Sequence, residues 1–161
     1  MKWSGKAGVH RNLNWASAGR QFLIPPRHII PGRKRIALIA HDSQKERMGN
    51  WALKQKAQLI EHELYATNHT ADLITASLQV PVFRFLSGPL GGDQQIGSRI
   101  AESGIDILIF FWDPLKPQAH DCDVKALLRL AAVYNIPNAV NEATADCIVG
   151  SLYVDSATVP T

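Results

Sequence analysis

Residues 105–112 read Ile-Asp-Ile-Leu-Ile-Phe-Phe-Trp, a nearly unbroken apolar run of β-branched and aromatic side chains. A run of this length and composition predicts a strand buried on both faces, which is typical of the interior of a parallel sheet. Segments with helical spacing of apolar residues flank it, beginning near Asp93 and Asp123. The run contains Asp106 and is too short to span a bilayer. This stretch therefore predicts an α/β fold.

Strand-like and helix-like segments alternate on both sides of this run. Four more strands are predicted, at 36–40, 64–66, 82–86 and 139–140. Helices are predicted over about 43–62, 70–78, 93–102 and 123–134, with one more helical turn at 144–149. Ser43 and Glu46 have the spacing of a capping box, which predicts the start of the first helix. The expected fold is a Rossmann-like, three-layer α/β sandwich around a mainly five-stranded parallel sheet.

The positive charge of the chain is concentrated at its beginning. The 161 residues carry 17 Lys and Arg, 14 Asp and Glu, and a net charge of +3. Residues 1–35 contain eight of the basic residues and no acidic one, so the rest has a balance of −5. We expect residues 1–34 to form a basic, flexible extension and 35–161 to form one domain. Nucleic-acid binding and organelle targeting are alternative roles for the extension, and no nucleic-acid partner is expected.

Composition and cysteine usage exclude several classes of protein. The hydrophobic fraction of 46% is ordinary for a globular domain, which argues against disorder. No apolar run is long enough for a transmembrane helix, so no membrane partner is expected. Cys122 and Cys147 are too few for a disulfide framework and lack the spacing of metal ligands. Reduced thiols and a cytoplasmic location are therefore expected.

A glycine-rich segment surrounds one carboxylate. Residues 87–95 read Ser-Gly-Pro-Leu-Gly-Gly-Asp-Gln-Gln, with three glycines next to Asp93. Glycine permits turns closed to other residues and leaves backbone N–H groups accessible to an anion. The segment predicts a site for a small anionic substrate near Asp93. A helix cap is the alternative role for this residue.

Polar side chains follow each predicted strand. They are His41, Asp42 and Lys45; Thr67 and Thr70; Ser87, Gly88 and Asp93; Asp113, His120, Asp121 and Asp123; and Asn141, Thr144 and Asp146. The carboxyl ends of parallel strands share one edge of a sheet, so one site is predicted there. A lysine, hydroxyls and helix N-termini suit a phosphate dianion.

Other roles remain open for these residues. Each threonine has the alternative role of a helix cap, and Lys45 that of a solvated helix residue. The group of His120, Asp121 and Asp123 has ligand types that suit a divalent metal. No further His or Cys lies at a recognisable ligand spacing from this group, so a metal site is the less favoured interpretation of these three residues.

Five blocks of sequence resemble the methylglyoxal synthase family. They are Ile39–Asp42, Tyr65–Thr67, Leu86–Gln95, Ile109–Leu115 and His120–Arg129. The blocks lie in the family's order and cover roughly residues 35–150. The most specific parts are Gly91–Gln95 and the segment from Phe110 to Arg129.

The resemblance implies a metal-free carbon–oxygen lyase without cofactor, which converts dihydroxyacetone phosphate to methylglyoxal and inorganic phosphate. It implies that Asp93 is the catalytic base, that His120 is the electrophile and proton shuttle, and that Asp123 helps to position the catalytic groups. The substrate, mainly its phosphate, would be held by His41, Lys45, Thr67, Thr70, Ser87 and Gly88. A homohexamer and inhibition by the product phosphate are also implied.

The chain differs from the family pattern at a few positions. Asn68 and His69 replace Gly-Thr between the two threonines, while Ala119 and Cys122 replace prolines next to His120. No arginine follows Arg129, although the family carries one near its C-terminus. A module of the same fold that binds phosphate without turnover is therefore the alternative to an active lyase.

Overall fold

The computed structural model describes residues 32–117 and 121–151, whose strands form one parallel, five-stranded sheet. The strands are β1 (Arg35–Ala40), β2 (Glu63–Thr67), β3 (Val82–Phe85), β4 (Ile107–Phe111) and β5 (Asn138–Ala139). They are ordered β3-β2-β1-β4-β5. The direction of winding reverses between β1 and β4, which is where open α/β sheets bind ligands.

Helices cover both faces of the sheet. They are α1 (Lys45–Lys54), α2 (Lys56–Leu59), α3 (Asn68–Leu78), α4 (Gly92–Ala101), α5 (Asp121–Val133) and α6 (Glu142–Val149), and short 3-10 turns precede α1 (Asp42–Gln44) and α4 (Gly88–Leu90). Alternate residues of β1 and β4 face opposite layers: one core contains side chains of α1, α2, α3 and α6, and the other those of α4 and α5. The predicted three-layer α/β fold is confirmed. In the described part of the chain, no helix is long and apolar enough to cross a membrane.

Residues 105–111 are buried, as predicted, but Trp112 is half-buried and the strand is shorter than expected. Every residue of β4 is buried, and the strand pairs with β1 from Ile36↔Ile107 to Ala40↔Phe111. Ile105 and Asp106 precede the strand. The remaining strands and helices lie within a few residues of their predicted positions, and the expected single turn at 144–149 is the eight-residue helix α6.

Two predictions about the first helix were wrong. The helix predicted over 43–62 is divided into α1 and α2 at Gln55, whose side-chain amide donates to Asp146 Oδ1 (2.9 Å). The capping box is absent from the described residues: Ser43 lies within the 3-10 turn, Gln44 is the N-cap of α1, and Ser43 Oγ donates to Asp113 Oδ2 (2.6 Å). The side chains at both positions contact residues far away in the sequence, which local spacing does not reveal.

The predicted N-terminal extension falls largely outside the described residues. Nothing in the structure tests its flexibility over 1–31, which stays a prediction. Lys34 is fully buried, and its carbonyl accepts a hydrogen bond from Glu63 N (2.8 Å). This last residue of the predicted extension is therefore part of the folded domain.

A buried ion pair joins the beginnings of β1 and β4. Asp106 is fully buried, and its Oδ2 accepts from Arg35 N (2.6 Å) and Nε (2.9 Å). Its Oδ1 accepts from the second guanidinium nitrogen (2.6 Å), and its backbone N–H donates to Arg35 O (2.8 Å). The pair explains why a carboxylate interrupts the apolar segment: it sets the register of the two strands at their amino ends.

We expect Asp106→Ala to lower the free energy of unfolding by about 3 kcal/mol, because it leaves a partly buried guanidinium without its carboxylate. Chemical denaturation measures the loss. Asp72→Ala is the matched control, since it removes the exposed pair between Asp72 and Arg84 and should cost less than about 1 kcal/mol. Equal losses in the two variants would contradict a structural role for the buried pair.

Glycine is required at two positions at the start of α4, by a different structural constraint at each. Gly91 has φ +98°, a conformation that side chains disfavour. Gly92 is buried, and its N–H donates to Ser87 O (2.9 Å). A Cβ added there would lie 2.0 Å from Leu86 O. The close approach of these two chain segments determines where Asp93, the next residue, is held.

We expect Gly92→Ala to lower the free energy of unfolding by about 3 kcal/mol, because the new methyl group collides with backbone that cannot turn away. Gly97→Ala in the same helix is the control. Its Cβ would meet the end of the Leu130 side chain at 2.9 Å, which can rotate, and alanine favours the helix by about 0.5–1 kcal/mol. Thermal or urea unfolding would contradict the prediction if both variants were equally stable.

Candidate active site

A cavity of about 190 Å³ opens at the carboxyl edge of the sheet, where the segments after β1, β2 and β3 meet. Its polar lining consists of His41, Asp42, Lys45, Thr67, His69, Thr70, Ser87, Gly88 and Asp93. Ile39, Ala40, Pro89 and Phe110 supply the apolar part of the wall. Seven of the nine residues predicted for the site therefore lie around one cavity.

Asp93 is a buried carboxylate in the wall of this cavity. It lies in the first turn of α4, and only 3% of its surface is exposed. The N-terminal end of a helix stabilises a nearby negative charge, because its first N–H groups lack partners within the helix. The glycines before it leave the cavity side of the loop without bulky side chains. A small molecule in the cavity would therefore be within reach of this carboxylate.

Thr67, Thr70 and Ser87 contribute hydroxyl groups to the cavity. Thr67 is 6% exposed and Thr70 is fully buried, and Thr67 Oγ1 donates to Thr70 Oγ1 (3.4 Å). Thr67 and Ser87 precede α3 and a 3-10 turn, but within the described residues neither side chain caps its helix. The helix-cap alternative predicted for Thr67 is therefore not the role of its side chain. The hydroxyls line a cavity next to the N-terminal end of α3, as an anion site requires.

Lys45 supplies a positive charge to the same wall. Its ammonium group forms an ion pair with Asp42, three residues earlier, and its side chain is only 26% exposed. The hydrogen bond and charge of Lys45 lower the pKa of the Asp42 carboxyl below its usual value. Lys45 is therefore not a freely solvated helix residue. Its charge lies where it can contact an anion in the cavity.

The His41 ring is held by contacts on two sides. Asp113 N donates to His41 Nδ1 (3.3 Å), and the ring packs edge-to-face against Phe110 with 5.1 Å between centroids. A nitrogen that accepts a hydrogen bond carries no proton, so the neutral ring has its proton on Nε2. In that tautomer the N–H group of His41 is at Nε2, and the residue borders the cavity with 6% of its surface exposed.

Asp113 lies two residues after the end of β4 and connects two loops of the site. Its Oδ2 accepts from Ser43 Oγ (2.6 Å) and its Oδ1 from Leu115 N (3.1 Å). The Ser43 hydrogen bond, followed by that of the Leu115 backbone, lowers the pKa of the Asp113 carboxyl. The sequence placed Asp113 at this edge without assigning it a role. Its partners show that it joins the segment after β4 to the one after β1.

Of the two other predicted catalytic residues, the described structure places only Asp123, which does not line the cavity. His120 lies outside the described residues, so its predicted role stays a prediction. Asp123 is in the first turn of α5, partly exposed, and accepts a weak hydrogen bond from Cys122 Sγ (3.7 Å). It does not belong to the lining that residues 32–117 and 121–151 form. Over the same ranges, no group of three His, Cys, Asp or Glu is placed to hold a metal ion.

The polar cluster after β5 has a structural role, contrary to the prediction that it joins the site. Asn141 Oδ1 accepts from Thr144 N (2.9 Å) and so caps α6. Asp146 Oδ1 accepts from Trp51 Nε1 (2.8 Å) and from Gln55 Nε2 (2.9 Å), which attaches α6 to α1. A carboxylate that follows a strand can therefore form hydrogen bonds with a neighbouring helix instead of taking part in a site.

His69 is a lining residue that sequence reasoning noted only as a departure from the family pattern. It lies in the first turn of α3, between the two buried threonines, and borders the cavity. Its position between Thr67 and Thr70 could have predicted this contact. Where the first turn of a helix contributes two residues to a site, a residue between them also lies close to that site.

Comparisons with known proteins identify the family to which this chain is similar. A family model described as an MGS-like domain matches residues 50–140. A methylglyoxal synthase from Leptospira interrogans is 57% identical over 122 residues, which cover 76% of this chain and 82% of that protein. A methylglyoxal synthase from Pectobacterium atrosepticum is 56% identical over 122 residues, covering 76% of this chain and 80% of that protein.

A solved structure supports the same assignment. The crystal structure of methylglyoxal synthase from Elizabethkingia anophelis NUHP1 has a TM-score of 0.78 and 49% identity to this chain. The match covers 83% of this chain and 88% of that one. The fold, the family model and the identity over most of the chain agree, and this protein belongs to the methylglyoxal synthase family.

Proposed function

We propose that this chain is a methylglyoxal synthase that converts dihydroxyacetone phosphate to methylglyoxal and inorganic phosphate. The observation that carries the proposal is the meeting of two kinds of group in one small cavity. A buried carboxylate, Asp93, suits removal of a proton, and a lysine with threonine and serine hydroxyls suits a phosphate. A phosphorylated carbon acid is the class of substrate that uses both.

The phosphate of the substrate is proposed to bind Lys45, Thr67, Thr70, Ser87 and the Gly88 backbone. The ammonium group supplies charge, and the hydroxyl and N–H groups at the helix ends supply directed hydrogen bonds. The apolar wall near Phe110 and Ile39 excludes water from the three-carbon part of the substrate, which strengthens these interactions. Phosphate itself fits the same groups, so the released product is proposed to inhibit.

Asp93 is proposed to take the proton from the hydroxymethyl carbon next to the carbonyl. Negative charge then develops on the carbonyl oxygen, and the enediolate forms only where N–H donors stabilise it. His41 offers such a donor at Nε2, and His120 is proposed to act as the electrophile and proton shuttle. Asp123 is proposed to help position these groups.

The enediolate next loses phosphate, which distinguishes this reaction from an isomerisation. Electrons of the enediolate form the new carbonyl at the former hydroxymethyl carbon, and the carbon–oxygen bond to phosphate breaks. The hydroxyl proton of that carbon moves to the former carbonyl oxygen, which gives the enol of methylglyoxal. The enol becomes the aldehyde-ketone when its methylene carbon takes up a proton and its hydroxyl group loses one. These steps need no redox partner, in keeping with a proposed lyase that works without metal or cofactor.

A homo-oligomer in the cytoplasm is part of the proposal. Large apolar side chains are exposed at edge strand β3 and in the loop that follows it, namely Phe83, Leu86 and Leu90. Apolar side chains grouped on a surface commonly mark a contact between proteins. They support a contact between copies of this chain, and the family's hexamer is the state we propose.

We expect Asp93→Asn to lower kcat by about a thousandfold, because an amide cannot accept the proton. Release of methylglyoxal and phosphate from dihydroxyacetone phosphate by chelator-treated protein measures turnover, and titration with inorganic phosphate measures binding, which should persist. Asp72→Asn, an exposed carboxylate of α3 outside the cavity, is the control. Substantial turnover by the Asp93 variant would show that another residue is the base. Phosphate binding without turnover by the unaltered chain would instead identify a binding module.

We expect Lys45→Met to raise both the KM for dihydroxyacetone phosphate and the inhibition constant of phosphate by about tenfold to a hundredfold, because a charge-assisted hydrogen bond is lost. Lys54→Met in the same helix is the matched control, since Lys54 pairs with Glu142 at the surface. Steady-state kinetics with phosphate as inhibitor test both variants. Unaltered phosphate inhibition in the Lys45 variant would place the phosphate elsewhere.

A further inference from the structure

Two loops of the cavity leave neighbouring strands side by side. β1 and β4 end at the paired residues Ala40 and Phe111. The next residue of the first loop, His41, donates its backbone N–H to Phe111 O (3.2 Å). Asp113 N returns a hydrogen bond to His41 Nδ1 (3.3 Å). The orientation of the imidazole therefore depends on how the loop after β4 is held.

Asp113 is held in turn by Ser43. The Ser43 hydroxyl donates to Asp113 Oδ2 (2.6 Å), while Asp113 Oδ1 accepts from Leu115 N (3.1 Å). Ser43 itself lies in the 3-10 turn that begins when Gln44 N donates to His41 O (2.8 Å). These contacts form a closed circuit of three residues. Backbone joins His41 to Ser43, the Ser43 hydroxyl binds the Asp113 carboxylate, and Asp113 N donates to the His41 imidazole.

The circuit selects one tautomer of His41. With the proton on Nε2, Nδ1 accepts the Asp113 N–H; with the proton on Nδ1, two N–H groups would face each other at 3.3 Å. The edge-to-face contact with Phe110 restricts rotation of the ring, so a ring flip does not relieve that conflict easily. The selected tautomer has its N–H donor at Nε2.

We propose that Ser43 is a positioning residue that keeps His41 in the Nε2–H tautomer by holding Asp113. Ser43 is exposed and is not part of the cavity lining formed by the described residues. It therefore acts through Asp113 and His41 and not on the substrate. The catalytic consequence rests on the proposed function, because it concerns the donor offered to the developing enediolate; the tautomer itself does not depend on any activity.

The test compares Ser43→Ala and Ser43→Thr in the full chain, with imidazole nitrogens observed by NMR after labelling histidine with nitrogen-15. The unaltered chain should show an acceptor-type Nδ1 and a protonated Nε2 for His41, assigned by loss of these signals in His41→Asn. Ser43→Ala should show a mixture of tautomers. Ser43→Thr, which keeps the hydroxyl, should restore the original signals.

Kinetics supply the second readout. Ser43→Ala should lower kcat about tenfold, as expected for one hydrogen bond, while the inhibition constant of phosphate changes less than twofold. In an Asp113→Ala background the same substitution should have no further effect, since the side-chain acceptor through which Ser43 acts is gone. A merely structural role of Ser43 would instead lower stability and phosphate binding alike.

Ser98→Ala is the matched control, because Ser98 also donates to a carboxylate, Glu102 Oε1 (3.2 Å), on a surface away from the cavity. A Ser43→Ala protein with the same tautomer as Ser98→Ala overturns the proposal. A mixed tautomer with unaltered kcat in an active enzyme also overturns it. If the unaltered chain has no lyase activity, the proposed function fails, and the NMR comparison alone decides whether Ser43 positions His41.

Discussion

The parallel pairing of β1 with β4 is the constraint on which the rest of the structure depends. The Arg35–Asp106 ion pair sets its register at the amino ends, and the hydrogen bond from His41 N to Phe111 O continues it beyond the last paired residues. A slip of one residue would turn the side chains of the slipped strand from one helix layer toward the other, where the packing is different. It would also separate His41 from Asp113, so the same register determines core and site.

The cavity combines three segments that reach it from separate strands, and each contributes a different chemistry. The segment after β1 brings a cation and an imidazole, the one after β2 brings buried hydroxyls, and the glycine-rich one after β3 brings a carboxylate. This division suits a small substrate with a phosphate at one end and an acidic C–H at the other. The segment after β5 serves α6 instead, since Asn141 caps that helix and Asp146 binds α1.

Most of the fold and much of the site were predictable from local sequence. The apolar run in β4 and its shorter counterparts indicated buried parallel strands, because burial on both faces needs a continuous apolar segment. The glycines before Asp93 indicated a close approach of backbone, and Gly92 indeed faces Leu86 O. The capping box at Ser43 was wrong because Ser43 lies within the 3-10 turn Asp42–Gln44, so Gln44 and not Ser43 occupies the N-cap position of α1.

The sequence by itself determined the succession of strands and helices along the chain, the segments that are buried, and the residue types available for chemistry. These features follow from composition and from the spacing of apolar residues along the chain. Only the tertiary structure decided which polar groups meet. Ser43 and Asp113 are 70 residues apart, and His41 and Asp113 are 72 apart. Contacts over such separations depend on strand order and register, which no local pattern encodes. The sheet thus converts a set of scattered polar residues into one cavity with an oriented imidazole and a buried carboxylate.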